Sequence, residues 1–299
     1  MDVVVYGAGS LGSLVGGLLA REHDVTLVGR DPHVATVRES GLRVDGAVSG
    51  DVRPDATTDG TGLTADLAVV TVKAFDTASA ARDLATGDYG AVLSLQNGLG
   101  NEAALAEHVD CPVLAGTATY GAVLREPGRV ECTGVGELTV GPHEGGDSAA
   151  AGRVARAFRR ADLRVTVADD MPRRLREKLA VNAGINAVTA LARVENGELL
   201  DGPASDLART AARETARVAR AEGISLPNRV ALAAVEEVAT ATADNDSSMY
   251  QDVRDGHRTE VDAINGSVVD CADEHGIDVP VNRTLTALLR AWERGRDLR

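Results

Sequence analysis

The chain has 299 residues, 44% hydrophobic but only 2% aromatic, with 45 acidic against 31 basic residues and a formal net charge of −14. That length predicts two domains of about 150 residues each, with cores of Val, Leu, Ala and Ile rather than aromatic rings. The acidic excess argues against nucleic acid and against an anionic membrane as partner, and it suggests an acidic surface of halophilic type.

Cys111, Cys132 and Cys271 are odd in number and far apart with no CxxC, which points to a reducing cytoplasm. The six histidines show no paired spacing, so no structural metal is expected. The sequence enters a strand pattern at Val3, and no apolar run approaches the roughly 18 residues of a membrane span, so a soluble intracellular protein is expected.

Residues 2–6 form a short β-branched run followed at once by Gly7, Gly9 and Gly12 in GAGSLG, and then by a small-residue helical pattern. GxGxxG between a strand and a helix is the fingerprint of a dinucleotide loop. Gly7 permits the tight turn, Gly9 lets the backbone approach a pyrophosphate, and Gly12 lets helix and strand pack closely. Ala8, Ser10 and Leu11 complete the loop, and the helix N-terminus offers its orphan N–H groups to the phosphates. A plain glycine turn is the weaker reading in this context.

The second strand, 24–28, ends in Gly29 and Arg30. NAD enzymes commonly place a carboxylate there for the ribose 2′-hydroxyl, whereas an arginine can grip a 2′-phosphate, so NADP is favoured with NADH still open. Asp31 could turn inward instead, or Asp31-Pro32 could start and cap a helix. Helix-like and turn-rich residues on to about Gly62 carry no functional signal.

Two buried parallel strands follow, 66–72 ending at Lys73 and 91–95 ending at Gln96, Asn97 and Gly98. Ligands of open α/β sheets bind outside the carboxyl ends of the strands, where both Lys73 and Asn97 fall. The plain alternatives are a solvated lysine and an Asn-Gly turn. From Cys111 onward the alternation suggests further strands at a mixed sheet edge, then a helix over 149–160 and a last strand over 163–167.

Beyond Asp170 only helical patterns remain, over 172–194, 203–222, 229–243, 249–274 and 283–294. The expected division is an α/β Rossmann-type dinucleotide-binding domain over 1–168 and an all-α substrate domain over 169–299.

The first of these helices carries Lys178, Asn182 and Asn186 at intervals of four, which stacks them on one face. Only two of the 31 basic residues are lysines, Lys73 and Lys178. Where arginine is the default cation, a retained lysine points to a compact ammonium whose pKa burial can lower. Gly184 costs a helix interior about 1 kcal/mol and implies a close approach to its backbone. A solvated polar face is the bland alternative.

In the 249–274 pattern, Val253, Glu260, Ile264 and Cys271 keep heptad-like spacing, so Glu260 lies on an apolar stripe. It reads either as a functional carboxylate or as half of a structural ion pair. Ser248 with Gln251 fits a capping box, which could be its whole role.

GAGSLG, TVKAFD, LQNGLG, EKLAVNAGINAVTAL, ENGEL and SSMYQDVRDGHRTEVDAINGSVV span the whole chain, and together they resemble the ketopantoate reductases. These belong to the wider 6-phosphogluconate dehydrogenase-like group. The resemblance implies NADPH-dependent reduction of 2-dehydropantoate to pantoate, a step toward coenzyme A. It implies Lys178 as proton donor and Asn182, Asn186, Asn196 and Ser248 as substrate contacts. Asn97 would touch both substrate and nicotinamide, while Lys73, Ala122 and Glu260 would face the cofactor or the centre of the site. Tyr120-Gly121-Ala122 matches least well. Closure around substrate and a homodimer are further expectations. A reductase of another 2-oxo or 3-hydroxy acid, or an NADP-binding sensor without turnover, are the competing functions.

Overall fold

The computed structural model describes all 299 residues. Contacts within the chain divide it into two units, Met1–Gln96 with Gly100–Met171, and Asn97–Leu99 with Pro172–Arg299. No helix is long and apolar enough to cross a membrane.

The first unit opens with β1 (Asp2–Tyr6), α1 (Ser10–Leu19), β2 (Asp24–Val28), α2 (His33–Ser40), β3 (Leu42–Gly46), β4 (Gly50–Val52) and β5 (Asp55–Thr57). Next come β6 (Thr64–Ala65), β7 (Leu67–Val70), a 3-10 turn (Ala74–Asp76), α3 (Thr77–Leu84), β8 (Asp88–Tyr89), β9 (Val92–Ser94) and α4 (Asn101–Ala106). It closes with β10 (Val113–Ala118), β11 (Gly121–Glu126), β12 (Arg129–Gly134), β13 (Leu138–Pro142), α5 (Ala149–Arg160) and β14 (Val165–Val167).

Eight strands form one sheet in the order β14-β13-β10-β9-β7-β1-β2-β5. Its pairings are parallel except that of β10 with β13. Val3 and Val5 of β1 join one buried cluster with Leu14, Leu27 and Phe158, while Val4 and Tyr6 join another with Leu84, Val92 and Leu105. Alternate residues of one strand thus feed two cores, as the two-residue period demands of a sheet covered on both faces.

Two strand expectations change. Residues 42–57, which carry no functional signal in the sequence, contain β3, β4 and β5. The strands after Cys111 do not all extend the main sheet, because β11 and β12 join β3 and β4 in a separate sheet of order β11-β12-β3-β4. Arg129–Cys132 pairs in register with Arg43–Gly46, a match between segments far apart in sequence that local alternation does not reveal.

The second unit is helical: α6 (Met171–Ala192), a 3-10 turn (Asn196–Leu199), α7 (Gly202–Ala221), α8 (Asn228–Ala241), α9 (Ser248–Asp255), a π turn (Asp262–Gly266), α10 (Ser267–Glu274) and α11 (Pro280–Arg294). Its core is rich in alanine, with Ala183 and Ala187 of α6 and Ala208, Ala211, Ala212 and Ala216 of α7 all buried. A Cβ on Gly184 would meet Ala208 O at 2.9 Å. The close approach anticipated at Gly184 is therefore made by the backbone of α7.

The single helix expected over 249–274 is interrupted. α9 stops at Gly256 in the left-handed conformation, φ +73°, and helix resumes only at the π turn. Glu260 therefore lies in the bend before Asp262 rather than on a continuous helical stripe, and Cys271 is only half-buried.

Candidate active site

In the first unit the glycine loop has the geometry that a dinucleotide requires. Gly7 adopts φ +103°, and a Cβ there would meet Val72 N at 2.6 Å. A Cβ on Gly12 would lie 2.2 Å from Gly7 O and 2.5 Å from the Thr71 hydroxyl, so α1 packs on the loop itself and on the segment after β7. Gly9 faces open space, with nothing within 4 Å of its added Cβ. Ser10, Leu11 and Gly12 stand in the first turn of α1, where amides have no intrahelical acceptor and are aimed outward. Open space at Gly9 beside those donors fits a pyrophosphate. Ala8 is buried, and its amide donates to Val28 O at 2.9 Å, which fastens the loop to the end of β2.

Around this loop, Ser10 Oγ accepts from Leu124 N of β11 at 3.0 Å. Ala122, two residues earlier on that strand, is half-buried and packs against the same core as α1. Lys73 is half-buried at the start of the Ala74–Asp76 turn. Arg30 follows β2, and its side chain is 86% exposed while Nη2 donates to Asp76 Oδ2 at 2.8 Å. Asp31 does serve its helix, since Oδ1 accepts from Ala35 N at 3.1 Å. His33, buried at the start of α2, accepts from Gly128 N through Nδ1 at 3.0 Å, so its neutral ring donates from Nε2 to Ser13 Oγ. Burial holds its pKa below the ordinary histidine value.

In the second unit, α6 carries Lys178, Asn182 and Asn186 one turn apart on a common face. Lys178 and Asn182 are half-buried and Asn186 is 6% exposed. Neither side-chain amide forms a hydrogen bond with another protein group. Asn182 is half-buried and no polar atom of either amide is sealed from solvent, so both can turn to water or to a small polar ligand.

Asn97 belongs to this unit although it follows β9, and its Nδ2 donates to Glu260 Oε2 at 3.1 Å. Gly98 beside it has φ +85°, and a Cβ there would collide with Ala263 O at 2.4 Å. The chain bends at this Asn-Gly pair, and the Asn97 side chain donates to a buried carboxylate. Glu260, 6% exposed, accepts that bond through Oε2.

Asn196 is buried, and its Nδ2 donates to Thr242 Oγ1 at 2.9 Å while its Oδ1 has no protein partner. Ser248 is exposed on the first turn of α9. The capping box read at Ser248 belongs one residue earlier: Ser247 caps α9 by accepting from Tyr250 N at 3.1 Å. Its hydroxyl also lies 2.7 Å from Thr189 Oγ1 of α6, which joins the start of α9 to the helix bearing Asn186. No three His, Cys, Asp or Glu side chains gather in a way that could hold a metal ion.

The family described as ketopantoate reductase PanE/ApbA matches residues 3–145, and its C-terminal counterpart matches residues 170–293. The chain belongs to the ketopantoate reductase family. It is 50% identical over 303 residues to the 2-dehydropantoate 2-reductase of Halobacterium salinarum, covering 98% of this chain and 99% of that one. Among solved structures it is similar to a PanE/ApbA family ketopantoate reductase from Ralstonia eutropha JMP134. That similarity has a TM-score of 0.91 and 35% identity, and covers 99% and 100% of the two chains. It is also similar to D-mandelate dehydrogenase with NADH and anilino(oxo)acetate, at a TM-score of 0.93 and 27% identity over 100% of both chains. The Rossmann-type α/β first half and helical second half are those of this ketopantoate reductase family.

Two residues of these surroundings, Asp76 and Ser247, have no role that the sequence assigns in advance. The signal for Ser247 is an ambiguous Ser-Ser pair. Asp76 stands in the TVKAFD segment, but its partner Arg30 lies 46 residues earlier.

Proposed function

We propose that the chain reduces 2-dehydropantoate to (R)-pantoate with NADPH, and that Lys178 delivers the proton. The observation that carries this reading is the face of α6, where the Lys178 ammonium is followed, turn by turn, by two amides that themselves lack protein partners. The glycine loop suits a nicotinamide dinucleotide: Gly9 leaves room for the pyrophosphate, the first turn of α1 supplies donors, and Arg30 presents an exposed guanidinium for a 2′-phosphate. Lys73, at the turn next to Asp76, adds a second cation for the phosphate end. The bound cofactor supplies a hydride to the ketone carbon.

As the carbonyl oxygen gains negative charge, the Lys178 ammonium stabilises it and gives up a proton to form the product hydroxyl. Asn182 and Asn186 can each donate and accept, so they can hold the substrate carboxylate and hydroxyl without adding net charge. Ser248 and Asn196 are further substrate contacts in this reading. Asn97, whose Nδ2 donates to Glu260, is a contact for the substrate or the nicotinamide amide in this reading. The acid contribution of such a lysine is about a hundredfold to ten-thousandfold in rate.

The test is oxidation of NADPH, followed by absorbance in high salt, with 2-dehydropantoate, with other 2-oxo acids, and with NADH in place of NADPH. Turnover confined to 2-dehydropantoate supports the proposal. The similarity to D-mandelate dehydrogenase favours a second reading, reduction of a different 2-oxo acid with NADH, and activity there alone would replace the first. Cofactor binding without turnover on any acid would leave a sensor.

A further inference from the structure

Asp76 meets Arg30 at the edge of the glycine-loop region. We propose that Asp76 is a specificity-determining residue that weakens the preference for NADPH over NADH. The inference rests on the reading of Arg30 as the 2′-phosphate contact. The Arg30 guanidinium is its natural grip, and one of its amino groups already donates to Asp76 Oδ2 at 2.8 Å. Asp76 is the last residue of the turn that begins beyond Lys73, and its side chain is one-third exposed.

A phosphate brought to the same guanidinium carries nearly two negative charges at neutral pH and comes within a few ångströms of the Asp76 carboxylate. Arg30 has five N–H donors, so it can serve both anions, but the anions repel each other. NADH brings a hydroxyl instead, which can donate to a carboxylate. Dinucleotide enzymes that prefer NAD commonly place an acidic residue at the end of the second strand for this hydroxyl. Here that position holds Gly29 and Arg30, and the carboxylate arrives from the turn after β7. One ion pair thus presents a cation suited to the phosphate and an anion suited to the hydroxyl.

Asp76→Asn keeps the shape and removes the charge, and the Asp76 side chain makes no capping bond to α3, so the helix does not depend on it. The equilibrium Kd values of NADPH and NADH, from quenching of protein or reduced-nicotinamide fluorescence, are measured for the wild type, D76N and Arg30→Ala. At low ionic strength the ratio of NADH to NADPH Kd should rise in D76N by at least twofold and on the order of fivefold, as for an exposed charge. The shift should shrink in molar salt, where the Debye length is about 3 Å. A ratio changed by less than twofold at low salt, or lowered, overturns the proposal. If R30A weakens NADPH alone while D76N has no effect, Arg30 keeps its role and Asp76 loses its own. If neither variant alters either Kd, the cofactor reading at this edge falls as well.

Discussion

Replacing Asn97 with aspartate turns the hydrogen bond to Glu260 into a contact between two carboxylates. The atoms now joined are 3.1 Å apart, and Glu260 is 6% exposed. Two unit charges at that separation repel by about 5 kcal/mol at an effective dielectric constant of ~20. The pair escapes by binding one proton, which at pH 7 costs a carboxyl of ordinary pKa about 4 kcal/mol. The cheaper route sets the ceiling, so N97D should lose up to about 4 kcal/mol of stability at neutral pH. N97A, which only strips Glu260 of a donor, should lose about 1–3 kcal/mol.

The pH dependence separates the two variants. In N97D the pKa of the shared proton is raised in the folded state, so stability is complete below the unfolded carboxyl value of about 4 and falls as pH rises through the folded value. Denaturant unfolding at pH 5 and pH 8, at fixed salt, reads this directly. Adding E260Q to N97D supplies an amide that can donate to the carboxylate introduced at position 97, and should restore most of the loss. N97D as stable as wild type at pH 8, or a double variant that recovers nothing, would refute the Asn97–Glu260 contact as described.

Lys178→Ala should keep NADPH affinity and lower turnover by at least about a hundredfold, measured by binding and by steady-state NADPH oxidation. A variant with near-normal turnover removes Lys178 from the chemistry. S247A should cost about 1 kcal/mol through the lost cap of α9, while S248A should stay within about 0.5 kcal/mol, as compared by denaturant midpoints. Gly184→Ala gains about 1 kcal/mol of helix propensity but forces a Cβ to 2.9 Å from Ala208 O. Overpacking of about 1–3 kcal/mol then leaves a net loss of up to about 2 kcal/mol, and a thermal midpoint above wild type would contradict it. His33 is held neutral by burial, so its contribution is complete above the unfolded pKa of about 6.5 and is lost as pH falls through the lower folded value. H33Q should flatten that part of the stability profile.

What the sequence disclosed was mostly local. Gly7 and Gly12 could be given roles because GxGxxG between a strand and a helix is a local pattern, even though Val72 and Thr71 that crowd them lie far along the chain, and Lys178, Asn182 and Asn186 because helical spacing alone aligns them. Gly184 announced that something came close but not what, since Ala208 lies on another helix. Periodicity carried the 249–274 pattern straight through Gly256, because a left-handed stop leaves no mark on the spacing of apolar residues beyond it. The β3–β12 pairing was hidden for a different reason: each strand is short, and its partner is more than eighty residues away. Ser247 and Ser248 are chemically identical neighbours, and only backbone geometry decides which one caps.

Asn97–Leu99 is counted with the helical half although nearly all of its chain neighbours are not. An excised 172–299 fragment would leave the Glu260 carboxylate without its amide donor and Ala263 O without the Leu99 N–H that meets it at 3.3 Å. A chimaera that exchanges helical halves between relatives therefore needs a graft of these three residues as well. For recombination the join near residue 171 is a false seam: the two halves are separable on a diagram, but the helical one inherits three residues from the other's stretch of chain.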